Sequence, residues 1–149
     1  MTEKWIWLDC DGTWIDLYGV DGWLEMLQNF DSTPYEIAKP LVNLSVLART
    51  IHDLQKANFK VGIISWLSKH STPEYDKQVT TVKIKYIEKH LPSVQFDKIC
   101  IIPYGTPKST CGSGILFDDE EKNRIEWGLN SYDEKNLIKN LRQFLKAAG

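Results

Sequence analysis

Trp5-Ile6-Trp7-Leu8-Asp9-Cys10-Asp11-Gly12-Thr13 is the stretch on which the fold of this chain turns. Four apolar residues run straight into two carboxylates one residue apart, and a glycine follows. Residues i and i+2 of a strand point to the same side, so Asp9 and Asp11 can converge on one ligand. Gly12 lets the backbone turn sharply enough to approach it. The plain alternative is an Asp-Gly turn with an incidental second acid, so the rest of the chain decides.

Working outward, three more apolar runs end in polar or glycine-containing sequence, at 60–64, 98–102 and 115–117. Segments of helical period alternate with them. Leu44, Leu47, Ile51 and Leu54 fall at steps of three and four, which predicts a helix running to about Ala57. Ser71-Thr72-Pro73-Glu74 reads as a helix start, with a hydroxyl cap, a proline in the first turn and an early acid. Tyr75, Val79, Val82, Tyr86 and His90 continue it. Asp133 is expected to cap a last helix carrying Leu137, Ile138, Leu141, Phe144 and Leu145 inward. Nearly all-apolar strands alternating with helices predict an α/β fold, with a central parallel sheet between helical layers. Such sheets bind ligands beyond the carboxyl ends of their strands.

The fourth run ends Phe117-Asp118-Asp119, a second acid pair directly after a strand. Crowded carboxylates repel unless a cation offsets them, and Mg²⁺ prefers oxygen ligands. The alternative is that Asp118-Asp119-Glu120-Glu121 is a solvated acidic loop. The second run ends in Ser65, a hydroxyl suited to a phosphate oxygen. Lys108 lies ten residues before Asp118 and offers a positive charge for a nucleophile and a transferring phosphoryl group.

These four features in this order resemble the haloacid dehalogenase superfamily of phosphotransferases, whose signature is DxDx[TV], then Ser or Thr, then Lys, then paired acids. Here they are Asp9, Asp11 and Thr13; Ser65; Lys108; and Asp118 with Asp119, over residues 5 to 123. The resemblance implies a three-layer α/β/α sandwich with strand one flanked by the strands carrying the second and fourth motifs. It also implies that Asp9 attacks phosphorus to form an aspartyl-phosphate, while Asp11 acts as general acid and then base. Mg²⁺ is expected at Asp9, the Asp11 carbonyl, Asp118 and Asp119, the last directly or through water. Asp11 separates phosphoester hydrolysis from dehalogenation, because an alkoxide leaving group needs a proton.

Members of that superfamily differ mainly in cap insertions. The gap from Trp66 to Thr106 leaves room for one helix and one strand, so no large cap fits there. Residues 14–40 are expected to form a small flap with a short helical insert on a single 1–149 domain. Trp14, Tyr18, Trp23 and Tyr35 within it either stack on a flat group or simply pack. The stretch from Lys108 to Asp119 is similar to that of 5′(3′)-deoxyribonucleotidases, and Ser65-Trp66 sits where those enzymes place their phosphate-binding hydroxyl. Thr13, Ser65, Trp66 and Lys108 are therefore the expected phosphate-binding residues. The substrate implied is a small phosphorylated molecule, with a nucleoside monophosphate first; a polynucleotide end and a non-catalytic phosphate-binding module are the alternatives.

Composition narrows the rest. The 149 residues, 42% hydrophobic and 26% charged, suit one globular core. A formal charge of −2 gives no field for DNA or an anionic membrane. Lys77, Lys83, Lys85 and Lys89 read as a solvated helix face interspersed with acids, so nucleic acid is not the favoured partner. No leader or spanning segment is visible, and a cytoplasmic location is expected. Cys10, Cys100 and Cys111 show no CxxC spacing, so neither a disulfide framework nor zinc is expected. No arginine follows any of them by six residues, as a cysteine phosphatase requires. No Gly-rich GKS or GKT loop is present.

Overall fold

The computed structural model describes residues 3–148. In chain order the elements are β1 (Lys4–Leu8), β2 (Ile15–Asp16), α1 (Trp23–Gln28), α2 (Thr33–Ile37), β3 (Lys39–Pro40), α3 (Leu44–Lys56) and β4 (Phe59–Trp66). They continue with α4 (Pro73–His90), β5 (Lys98–Ile102), β6 (Ile115–Phe117), α5 (Glu121–Trp127), β7 (Ser131–Tyr132) and α6 (Leu137–Ala148). Five strands form one parallel sheet in the order β5-β4-β1-β6-β7, and β2 pairs antiparallel with β3 in a separate ribbon. The strand carrying Asp9 is therefore central, between those ending near Ser65 and Asp118, as expected. Successive strands are added to one side of β1 (β4, β5) and then to the other (β6, β7), which makes its carboxyl end the switch point where an open parallel sheet leaves a crevice.

Strand alternation sorts the core into two layers. Ile6, Leu8, Val61 and Ile63 face Leu47, Ile51 and Leu54 of α3, Leu137 and Leu141 of α6, and Tyr86 and Ile87 of α4. Trp7, Ile64 and Leu116 face the other way, where Trp5, Cys111 and Trp127 cover them. Here a seven-residue helix and the loop after β5 replace long helices, and indole rings fill the depth. A Cβ on Gly62 would run into the Trp7 ring, so the absence of a side chain there admits the tryptophan.

Local signals account for the long helices. Asn43 Oδ1 accepts the Val46 N–H at 3.1 Å to cap α3, and Thr72 Oγ1 accepts the Tyr75 N–H at 3.1 Å to cap α4. The last helix departs from expectation. Asp133 accepts the Lys135 N–H within a turn, Asn136 takes a positive φ of 57°, and α6 begins only at Leu137. The cysteines also depart. Cys100 on β5 and Cys111 are joined as a disulfide with Cα atoms 6.6 Å apart, while Cys10 is free and buried. Spacing could not reveal this pairing, because the chain folds back between the two residues. No helix among the described residues is long and apolar enough to cross a membrane.

Candidate active site

Both acid pairs emerge side by side because β1 and β6 are hydrogen-bonded neighbours ending in register, Leu8 opposite Phe117. The Asp9 N–H donates to Phe117 O at 2.9 Å and the Asp118 N–H to Tyr132 O at 3.0 Å, which fixes both backbones. Asp9, Asp118 and Asp119 then bring carboxylate oxygens within 4.8 Å of one another. Gly12 makes the approach of Asp119 possible. Its φ is +83°, and a Cβ there would strike the Asp119 carboxylate.

Lys108, on a single 3₁₀ turn, is 2% exposed. Its Nζ donates to Asp9 Oδ1 at 2.7 Å and to Asp118 Oδ2 at 2.6 Å. Burial works against its charge, but the two carboxylates outweigh that and hold its pKa above the usual lysine range. Asp118 is pushed up to about 6, by burial first and then by Asp9, against the pull of Lys108. Asp119 is pushed up to about 9 by burial and by repulsion from Asp9. Asp11 is also raised, chiefly by burial, with Lys83 opposing. An all-oxygen cluster that resists ionising is the donor set a hard divalent cation fits.

The expected phosphate-binding residues divide. Lys108 and the Trp66 ring line the cavity in front of Asp9, but the Trp66 indole N–H is taken by Thr106 O at 2.8 Å. Thr13 is turned elsewhere: its hydroxyl donates to Asp9 Oδ2 at 2.9 Å and accepts the Asp119 N–H at 3.2 Å. Both contacts hold the hydroxyl inside the acid cluster. Ser65 is 1% exposed, and its Oγ accepts a hydrogen bond from Lys83 Nζ at 2.6 Å. Cys10 is buried beside the acids, and burial pushes its thiol up to about 12.

Two residues of the site were not expected. Lys83 is buried, not solvated, and its Nζ reaches Asp11 Oδ2 at 2.8 Å. Its signal lay in the stripe Tyr75, Val79, Lys83, Ile87, where a lysine interrupts apolar residues at steps of four. Asn123 on α5 donates to Asp118 Oδ2 at 3.1 Å, and no pattern marks such an amide.

The cavity measures about 480 Å³. Asp9, Asp11, Lys108, Asp118 and Asp119 form its floor, and Tyr18, Trp23 and Tyr35 stand on one wall. These three belong to the segment between β2 and β3, where a 3₁₀ turn, α1 and α2 lie over the carboxyl end of the sheet. Trp14 does not join them. It is fully buried against Tyr86 in the main core.

Sheet order and layering define the haloacid-dehalogenase-like class of α/β/α fold. Among solved structures, the chain is similar to D,D-heptose 1,7-bisphosphate phosphatase from Burkholderia thailandensis, with a TM-score of 0.56 and 11% identity, covering 96% of this chain and 99% of that one. No family model matches the chain, and no curated protein matches it in sequence.

Proposed function

We propose that this protein is a Mg²⁺-dependent phosphatase that hydrolyses phosphate monoesters through an aspartyl-phosphate on Asp9. The observation that carries the reading is the bridge from Lys108 to both Asp9 and Asp118 at the floor of an open cavity. An ammonium there holds the nucleophile in place beside the cluster of Asp9, Asp118 and Asp119 oxygens, which would take a cation. Asp9, Asp118 and Asp119 would hold the metal with the Asp11 carbonyl, and the metal when bound draws charge from the phosphoryl oxygens.

The chain's own groups carry the bond changes. Thr13 donates to Asp9 Oδ2 while Lys108 donates to Oδ1, so the carboxylate is pinned through both oxygens. An Asp9 oxygen attacks phosphorus as the ester oxygen leaves, and Asp11 gives that oxygen its proton. Water then attacks the aspartyl-phosphate, returns a proton to Asp11 and frees Asp9. Phosphate oxygens would be met by Lys108 and by Ser65.

The substrate proposed first is a (deoxy)nucleoside monophosphate. Tyr18 and Trp23 pack edge to face, with ring centroids 4.9 Å apart on the cavity wall, and offer a surface for a flat group. The described segment between β2 and β3 serves on this reading as a minimal cap. The test is a panel of esters with Mg²⁺: an aryl phosphate, deoxynucleoside monophosphates, sugar phosphates and 3′-phosphorylated oligonucleotides. The unmodified protein is expected to turn over the aryl phosphate and to favour the mononucleotides, and Asp9→Asn to abolish both. No turnover across the panel overturns the phosphatase reading, and preference for the oligonucleotide overturns the substrate.

A further inference from the structure

Lys83 is the one charged residue of α4 that the fold buries; Lys77, Lys85 and Lys89 on the same helix are exposed. Its three N–H bonds are all used, to Asp11 Oδ2 at 2.8 Å, Ser65 Oγ at 2.6 Å and Trp66 O at 2.8 Å. The Tyr35 ring lies 4.8 Å from Nζ. Burying an ammonium costs free energy that a Met or Leu of similar length would spare. The charge is thus poorly explained by packing alone. What it contacts is informative: Asp11, just past the end of β1 and lining the cavity, and Ser65 Oγ with the Trp66 carbonyl at the end of β4.

The geometry has two consequences. Because Lys83 holds Asp11 by Oδ2, the other oxygen, Oδ1, is the one available to a leaving group. Because Ser65 Oγ accepts from Lys83, the hydroxyl proton is turned away from that lysine and is free to donate to an acceptor on the far side.

We propose that Lys83 is a positioning residue, which fixes Asp11 and Ser65 so that Asp11 Oδ1 delivers the proton to the departing oxygen. The inference rests on the phosphatase reading above. As the P–O bond breaks, the Oδ1 proton passes to the leaving oxygen and Asp11 becomes a carboxylate still held through Oδ2. The attacking water later returns a proton to Oδ1.

The experiment compares phenyl phosphate, whose leaving group needs a proton, with 2,4-dinitrophenyl phosphate, whose leaving group does not. Lys83→Met is expected to lower kcat/KM about 100-fold on the first and about fivefold on the second, because general acid help is lost only where it is needed. Lys83→Gln, which keeps a polar head in the pocket, is measured alongside, with thermal unfolding of both variants. In an Asp11→Asn background, Lys83→Met should add little further loss on phenyl phosphate. Equal losses on the two esters, or loss of the fold in both variants, make Lys83 a scaffold residue and overturn the proposal. An unmodified protein inactive on both esters overturns instead the reading on which it rests.

Discussion

Lys108 Nζ joins Asp9 and Asp118, donating to carboxylates at the ends of two neighbouring strands at 2.7 and 2.6 Å. All three side chains are buried. Removing the lysine leaves two buried carboxylates without a counter-ion at the carboxyl ends of β1 and β6, so Lys108→Met is expected to destabilise the fold by about 3–5 kcal/mol. Urea unfolding measures this. Adding Asp118→Asn should recover part of the loss, since one of the orphaned charges is gone, whereas additive losses would mean the bridge is unimportant.

Gly12 and Asp119 are coupled through space rather than through bonds. Ala at position 12 must accept a φ of +83° and push its Cβ into the Asp119 carboxylate. Gly12→Ala is expected to cost about 1–3 kcal/mol from the backbone and the clash together. It should also weaken Mg²⁺ binding, because Asp119 must move away from Asp9. Isothermal titration with Mg²⁺ checks the second effect, and an unchanged affinity would remove Asp119 from the cation site.

The central strands could be read from sequence because burial on both faces makes them apolar throughout, and the two acid pairs stand where those runs stop. Beyond the short helical insert expected within residues 14–40, the number and bounds of three helices could not be read. α1, α2 and α5 are only five to seven residues long, too short for a period of 3.6 to repeat. β7 has two residues and follows from its pairing with β6, not from its own composition. Lys83 was misplaced because neighbouring exposed lysines made the face look solvated, while the side chain reaches inward to Asp11 across a sequence separation of 72. For Trp14 the sequence leaves stacking and packing open, and the structure buries it in the main core.

The Cys100–Cys111 bond ties the middle of β5 to the residue that ends the Lys108 turn. Closing so short a loop restricts the unfolded chain by about 3 kcal/mol in the loop-entropy account. Cys111→Ser is expected to lower stability by roughly that amount, and a reductant should lower the unmodified protein but not the variant. Thiol counting by mass under denaturing conditions should find one free cysteine in the oxidised protein; three would deny the bond.

On the proposed metal-dependent reading, proton and cation would compete for the same oxygens at Asp118 and Asp119. Their folded pKa values, about 6 and about 9, lie above the ordinary 3.8, so the metal-free fold holds protons that the unfolded chain releases. The metal-free protein therefore loses stability as pH rises from about 4 through those values. A divalent cation bound there would replace the protons and offset the repulsion from Asp9. In thermal unfolding with chelator, Tm should be lower at pH 8 than at pH 5.5. Millimolar Mg²⁺ should raise Tm more at pH 8 than at pH 5.5, since fewer protons then stand in its way. Asp119→Asn removes the carboxyl pushed up to about 9, and it should flatten the pH dependence of the chelated protein while shrinking the Mg²⁺ shift. A Mg²⁺ shift that is the same at both pH values, or is unaltered by Asp119→Asn, would mean the cation binds elsewhere.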